Sequence, residues 1–154
     1  MTDELFMRRA LSLARRAAKA GEVPVGCVIV KDGKIIASAY NTRETKKNAS
    51  HHAELKAIDR ACKKLHGWRL LGCEMYVTLE PCPMCAGAII NARIEKVHIA
   101  CPDPKAGAVG SVLNLFEFPF NHKPETDFGM MEAESRALLQ DFFRSLRKKK
   151  IKTE

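Results

Sequence analysis

Two short motifs in separate parts of the chain constrain its fold more than any other feature of the sequence. His52 and Glu54 form a His-x-Glu motif, and Cys82 and Cys85 form a Cys-x-x-Cys motif. Zinc accepts imidazole and thiolate ligands, and a catalytic zinc site has three protein ligands where a structural site has four. The sequence therefore predicts a fold that brings both motifs to one ion and leaves one coordination position open.

Glu54 is a carboxylate that the predicted ligand set does not need. A carboxylate beside the ion can carry protons between the activated water and a leaving group, and this combination of motifs is the known signature of zinc deaminases. Cys-x-x-Cys alone could instead be a redox pair or half of a structural zinc site. The remaining candidates for a fourth ligand form no second ligand pair: His51, Cys62, Cys73, Cys101 and His122.

The composition indicates a single globular domain covering residues 1–154. With 46% hydrophobic residues, a chain of this length can bury a substantial core. The first residues contain no uninterrupted apolar stretch, so we expect a cytoplasmic protein without a membrane segment. Cys27, Cys62, Cys73 and Cys101 lie in apolar runs and are expected to be buried structural thiols.

The net charge of +8 is concentrated at the carboxyl end of the chain. Residues 144–154 contain six Lys or Arg and one Glu, so this segment carries +5 of the +8. The segment could be a solvated helix end whose cations complement the helix dipole. It could equally be a tail that contacts phosphates of a nucleic acid.

Apolar residues recur at helical or alternating spacing between turn signals. Strands that alternate with helices after an initial hairpin predict a layered α/β domain with a mixed sheet. The predicted elements are a helix capped by Thr2 and ending near Ala20, strands at 25–30 and 34–40, a loop at 41–50, a helix from 53 to about 67, a strand at 74–79, a helix at 83–92, a strand at 96–101, a loop at 102–110 and a helix from 132 to about 150.

Further residues around the two motifs resemble one known family. The run Thr78-Leu79-Glu80-Pro81-Cys82 is more specific than the zinc signature alone. On these residues the chain resembles the bacterial tRNA-specific adenosine deaminases of the cytidine-deaminase-like superfamily, over nearly its whole length. The matching segments are 22–26, 41, 52–54, 68–70, 76–87, 103–105, 121–122 and 142–144.

The resemblance implies a fold, a reaction and partners. The fold would be a three-layer α/β/α sandwich around a central mixed five-stranded sheet, of which the sequence pattern accounts for four strands. The reaction would be zinc-dependent hydrolytic conversion of adenosine to inosine at the wobble position of a tRNA anticodon. Zinc-activated water would attack C6 of an extruded base. The partners would be a tRNA anticodon stem-loop and a second copy of the chain in a homodimer, with one Zn²⁺ per subunit.

The resemblance also implies roles for individual residues. His52, Cys82 and Cys85 would hold zinc, and Glu54 would be the proton shuttle. Asn41 would hydrogen-bond the target base or its ribose, and Val25 would pack against the base. The remaining anticodon-loop contacts would be made by Asp103, Lys105, Asn121, Phe142, Phe143 and Arg144.

Several of these residues have structural alternatives. Asn41 could be a turn residue that closes its strand, Lys105 could be a solvated loop cation, and at least one of the paired phenylalanines is expected to pack in the core. Two positions depart from the family pattern. His51 stands where a small residue is usual and is expected at the surface, and Cys27 replaces a more usual alanine.

Two other functions compete with tRNA deamination. The same zinc chemistry could act on a free base or nucleoside, such as cytosine or guanine, although the basic tail favours RNA. The chain could also be a non-catalytic RNA-binding module with a structural zinc. Glu54 argues against that possibility, because a structural site has no need of a spare carboxylate.

Overall fold

The computed structural model describes the backbone of residues 2–153 and the side chains of residues 2–151. The helices and strands predicted from the sequence are all present, with ends shifted by a few residues. The elements are α1 (Asp3–Lys19), β1 (Gly26–Lys31), β2 (Lys34–Tyr40), α2 (Arg43–Lys46), α3 (Ala53–Leu65), β3 (Cys73–Leu79), α4 (Pro83–Ala92), β4 (Lys96–Cys101), a 3₁₀ turn (Leu115–Glu117), β5 (Glu125–Phe128) and α5 (Glu132–Thr153).

The five strands form one mixed sheet in the order β2-β1-β3-β4-β5. Strand β1 pairs antiparallel with β2 and β3, and β4 pairs parallel with β3 and β5. Parallel strands end at the same edge of a sheet, and Leu79 and Cys101 are register partners there. The segments that follow these two residues, which begin with Glu80 and Pro102, therefore start side by side.

Helices cover both faces of the sheet and confirm the predicted three-layer α/β/α sandwich. On one face, α3 and α4 pack over a core that includes Ala57, Ile89 and Ile99. On the other face, α1 and α5 contact the sheet, and Phe6 of α1 packs against Tyr76. None of the helices within residues 2–153 combines the length and apolar character needed to cross a membrane.

The contact between α1 and β1 depends on a glycine. A Cβ at Gly26 would lie 1.9 Å from the backbone oxygen of Ala10 and 2.8 Å from the amide nitrogen of Ala14. The helix therefore approaches the strand more closely than any side chain permits. Because β1 runs antiparallel to β3, the segment that joins α1 to β1 lies at the edge of the sheet where β3 ends.

The predicted loop at 41–50 contains the short helix α2, which the sequence did not indicate. Glu22 supplies the reason, because its carboxylate accepts hydrogen bonds from the amides of Glu44 (2.9 Å) and Thr45 (2.6 Å). First-turn amides lack partners within a helix and need an acceptor from elsewhere. Here the acceptor comes from a distant part of the chain, so no local capping pattern marks the helix.

Strand β5 was also missed, because it is short, mostly exposed and paired only with β4. A strand of this kind lacks the alternating apolar pattern that reveals a half-buried strand. Part of its attachment runs through a buried histidine. The buried ring of His98 has Nε2 2.9 Å from Glu74 Oε1 and Nδ1 2.8 Å from Asp127 Oδ2, so it links β3, β4 and β5.

Candidate metal centre and active site

Two helix N-termini meet at the carboxyl edge of the sheet and bring three metal-binding groups together. His52 is the N-cap of α3, Cys82 is the N-cap of α4, and Cys85 lies in the first turn of α4. Their ligand atoms all lie within 4.8 Å of one another, and the Nδ1 atom of His52 is 3.6 Å from each sulfur. Tetrahedral zinc with its usual bond lengths separates such nitrogen and sulfur ligands by about 3.5 Å. The three groups therefore fit zinc.

The protonation of the three groups follows from their contacts. A hydrogen bond with Cys85, together with the contact to His52, lowers the pKa of Cys82 to about 4. The same bond and burial raise the pKa of Cys85, and contact with Cys82 raises that of His52. Cys82 is therefore the thiolate of the pair, which is the form that binds metal. A cation held here would replace the proton on Cys85.

Glu54 lies beside this group without belonging to it. It sits in the first turn of α3 and is 4% exposed, and its carboxyl group contacts the Cys85 thiol. Burial raises the pKa of Glu54 to about 7. A carboxyl group whose pKa lies near neutral pH can both accept and release a proton there, which suits general acid-base chemistry.

Asn41 fixes the start of α3 from outside the helix. Its Oδ1 accepts a hydrogen bond from the amide of Ala53 (2.8 Å), and its Nδ2 donates to the carbonyl of Val23 (3.2 Å). The side chain is 9% exposed and lines the cavity at the metal group. Asn41 thus joins the helix that carries His52 to the segment before β1, and it also stands in the cavity wall.

A cavity of about 180 Å³ opens at the metal group. It is smaller than the roughly 300–1,000 Å³ typical of drug-sized ligand sites, so it suits one flat base better than a whole nucleotide. Among the residues predicted from the sequence, those that line it are Val25, Asn41, His52, Glu54, Cys82 and Asp103. The other lining residues, to which the sequence assigned no role in the site, are Val23, Arg43, Leu79, Glu80 and Ala106.

A larger groove of about 830 Å³ adjoins this cavity and shares four of its lining residues, Val23, Leu79, Asp103 and Ala106. The groove runs between the loop after β4 and helix α5. Its cationic side chains are Lys105, Arg136, Arg144 and Arg147. The small cavity therefore opens beside a surface whose charge suits a polyanion.

The predicted residues of α5 lie on two sides of the helix. Phe143 and Arg144 line the groove, and Arg144 Nη1 is 3.2 Å from Asp141 Oδ1. Phe142 is half-buried and instead lines a cleft between α5 and the end of α1, together with Ala18 and Leu138. The two phenylalanines therefore lie in different depressions of the surface, and their proposed contacts with RNA stay predictions.

Asn121, like Phe142, is a predicted contact residue that lies away from the cavity and the groove. It is exposed, and its neighbour His122 bonds through Nε2 to the carbonyl of Ile94 (2.6 Å). Ile94 precedes β4, so this segment lies at the edge of the sheet opposite the metal group. Within one chain, Asn121 does not join the site.

The two departures from the family pattern leave the metal group unchanged. His51 is half-buried, with Nδ1 3.4 Å from Thr42 Oγ1, and it does not belong to the metal-binding group found among the described residues. Cys27 is buried, and burial, followed by the charge of Glu54, raises its pKa. This thiol is therefore a core group behind the site.

The sequence and the fold match known proteins closely. Residues 1–147 match the model of the MafB19-like deaminase family. The chain is 52% identical over 149 residues to the tRNA-specific adenosine deaminase of Bacillus subtilis (strain 168), an alignment that covers 96% of this chain and 92% of that protein.

Two solved structures extend the comparison. One, from a study of A-to-I editing by tRNA:A34 deaminases at the wobble position of transfer RNA, is 43% identical with a TM-score of 0.85, covering 88% of this chain and 99% of that one. A guanine deaminase from Bacillus subtilis is 36% identical with a TM-score of 0.65, covering 96% and 95%. With the His-x-Glu and Cys-x-x-Cys groups at one cavity, these matches show that the chain belongs to the tRNA-specific adenosine deaminases within the MafB19-like deaminase family.

Proposed function

We propose that this protein is a zinc-dependent hydrolase that converts adenosine to inosine at the wobble position of a tRNA anticodon. One observation carries the proposal. A buried carboxyl group with a pKa of about 7 stands beside a three-ligand metal group, inside a base-sized cavity that opens onto a cationic groove. Each part has a role in deaminating a base that is presented by RNA.

The residues of the chain divide the chemistry among them. His52, Cys82 and Cys85 would hold Zn²⁺, which would supply a Lewis acid that makes water a better nucleophile. Glu54 would take one proton from the attacking water and give it to N1 of adenine as the water oxygen bonds to C6, and would then move the second proton to the amino nitrogen as the C6–N bond breaks and ammonia leaves. Val25 and Asn41 wall the cavity and limit how the base can lie in it.

The groove is the proposed site of the anticodon loop. Asp103, Lys105, Phe143 and Arg144 line it, and cationic side chains next to an aromatic ring suit a single-stranded segment with phosphates and exposed bases. We expect the basic segment at 144–154 to add phosphate contacts; in this segment the side chains after residue 151 lie outside the described part of the chain.

We also propose a homodimer, with residues 1–154 forming one deaminase domain per subunit and acting in the cytoplasm. Exposed apolar side chains within residues 112–120, in the segment after β4, support self-association. Val112 is 59% exposed, and Phe118 and Phe120 are each 52% exposed. Single exposed apolar residues are ordinary, whereas several close together favour an interface. The predicted contact by Asn121 would require this assembly, because the residue lies away from the site of its own chain.

Deamination of a free base is the second candidate, supported by the 36% identity to a guanine deaminase. The small cavity alone fits either substrate. The cationic groove favours RNA, because a free base carries no phosphate for Lys105 or Arg147 to contact.

A substrate comparison tests the proposal. Zinc-loaded protein would be incubated with an anticodon stem-loop containing a wobble adenosine, the same stem-loop with guanosine at that position, free adenosine, cytidine, cytosine and guanine. We expect inosine only in the first stem-loop. Turnover restricted to a free base or nucleoside would refute tRNA deamination and favour the second candidate.

A further inference from the structure

Glu80 is a buried carboxylate to which the proposed reaction assigns no chemical step. It follows β3 directly, lies two residues before Cys82 and is 2% exposed. The backbone amide of Glu80 donates to the carbonyl of Cys101 (2.9 Å), which ties it to the end of β4. Burying a carboxylate is costly unless its oxygens are well hydrogen-bonded, so its partners indicate why it is there.

The partners of Glu80 all belong to the loop that follows β4, and each of its two oxygens accepts two hydrogen bonds. Oε1 accepts from the amide of Asp103 (3.1 Å) and from the Ser111 hydroxyl (2.5 Å). Oε2 accepts from the amides of Val109 (3.0 Å) and Ser111 (3.1 Å). One side chain therefore holds both ends of residues 103–111.

The loop closes around the carboxylate so tightly that it needs a glycine. A Cβ at Gly107 would lie 2.2 Å from Glu80 Oε2 and 2.6 Å from the carbonyl oxygen of Asp103. The constraint is contact with Glu80 rather than an unusual backbone angle, since Gly107 has no positive φ. The adjacent amide of Ala108 donates to the carbonyl of Pro81 (2.9 Å), so the same loop also rests on the residue before Cys82.

This loop forms the wall between the base-sized cavity and the groove. Asp103 and Ala106 line both spaces, and Lys105 lines the groove. The side chain of Asp103 is itself held in a turn by the amides of Lys105 (3.1 Å) and Ala106 (3.2 Å). The position of this wall relative to Cys82 is therefore set through Glu80.

We propose that Glu80 is a positioning residue for substrate: it fixes loop 103–111 relative to the metal ligands, and so sets where the RNA lies when the base enters the cavity. The inference rests on the proposed function, because it requires the loop to contact the substrate. Glu80 also lines the cavity, but both oxygens of its carboxylate are occupied by hydrogen bonds from the loop, so we assign it a role through the loop rather than on the reacting atoms.

Two substitutions disturb the same contact from opposite sides. Glu80→Gln turns one acceptor oxygen into a donor that faces amide and hydroxyl donors, and Gly107→Ala pushes a methyl group into the intact carboxylate. Removing one partner of a buried polar group corresponds to roughly a 5- to 150-fold change in an equilibrium. We expect KM for the stem-loop to rise by a factor in this range in each variant, with a smaller change in kcat and unchanged zinc content.

Matched controls separate the contact from the type of substitution. Gly67→Ala adds a methyl group where nothing lies within 4 Å. Glu95→Gln alters a carboxylate that accepts from the amide of Gly72 (3.0 Å) at an exposed position away from the cavity. Both controls should keep the KM of the unsubstituted enzyme. In the double variant Glu80→Gln, Gly107→Ala, KM should rise by less than the product of the two single increases, because both substitutions disrupt the same contact.

Hydrogen exchange gives a readout that does not depend on activity. In Glu80→Gln without RNA, the amides of Val109 and Ser111 should exchange faster than in the unsubstituted enzyme, whereas β3 should not. If these amides exchange faster but KM is unchanged in both Glu80→Gln and Gly107→Ala, the inference is overturned and Glu80 has only a structural role. Loss of zinc would overturn it too, by placing the effect on Cys82. An unsubstituted enzyme that is inactive on the stem-loop would instead refute the proposed function.

Discussion

Asn41 could support the fold or contact the substrate, and replacing it by alanine distinguishes these two roles. In the structure, its side chain has two partners within the protein. The substitution leaves the buried amide of Ala53 without an acceptor, at a cost of about 1–3 kcal/mol, and removes a hydrogen bond to Val23 worth about 0.5–1.5 kcal/mol. The two costs together come to about 1.5–4.5 kcal/mol, which corresponds to a fall in Tm of roughly 3–18 °C for a chain of this size.

The assay is thermal unfolding of zinc-loaded protein followed by steady-state kinetics on the stem-loop. Asn41→Asp keeps an acceptor for the Ala53 amide and loses only the donor to Val23, so it should be less destabilised than Asn41→Ala. Asn91→Ala removes an exposed amide side chain from α4 and should change stability by no more than about 0.5 kcal/mol. An Asn41→Ala variant with unchanged Tm and a raised KM would refute this reasoning, because it would show that the amide serves the substrate rather than the fold.

The other predictions concern the proton shuttle, the basic tail and a second buried carboxylate. Glu54→Gln should keep its metal and lose about 10²- to 10⁴-fold in kcat; unchanged single-turnover rates would remove Glu54 from proton transfer. Deleting residues 147–154 should weaken binding of the stem-loop and lower the slope of log affinity against log salt by about 0.7–0.9 for each phosphate that the tail no longer neutralises. An identical slope would make the tail a solvated helix end. Burial opposes the charge on Glu22, yet hydrogen bonds from Thr45 and Glu44 outweigh it and hold its pKa below 4.5. The stability that the charged Glu22 carboxylate contributes is therefore fully present at neutral pH and is lost as the pH falls below 4.5. In urea unfolding, Glu22→Gln should be less stable than the unsubstituted protein at neutral pH, and the difference should shrink in acid. A stability difference that does not shrink in acid would contradict this sign.

The parts of the fold that were predictable are those whose causes lie close together in the sequence. Helix α1 begins where Thr2 accepts from the amide of Leu5, and its apolar stripe repeats at helical spacing. The metal group was predictable for a similar reason, because Cys82 and Cys85 are separated by one helical turn. His52 was predicted as the third ligand from its place in the His-x-Glu motif.

The parts that were missed depend on contacts between distant residues. Helix α2 is stabilised by Glu22, and strand β5 is attached through Asp127 to His98, so neither is marked by its own composition. The cavity positions of Arg43 and Glu80 also depend on such contacts. Glu22 holds the helix that carries Arg43, and the loop after β4 holds the carboxylate of Glu80. A buried carboxylate in a polar loop region resembles an exposed one until its hydrogen-bond partners are known.

The site uses two helix N-caps in a way that costs helix stability. An N-cap side chain usually accepts a hydrogen bond from the first turn, worth about 0.5–2 kcal/mol, but neither His52 nor Cys82 makes such a bond. Their side chains face the metal group instead. Asn41 offsets part of the cost at α3 by bonding the Ala53 amide from outside, and the dipole of α4 favours the Cys82 thiolate. Binding of Zn²⁺ to this group would offset the cost, because a ligand that binds only the folded state stabilises that state. Added Zn²⁺ should therefore raise the Tm of metal-free protein by more than it raises that of the Cys85→Ala variant, in which the ligand set is incomplete while both N-cap residues remain.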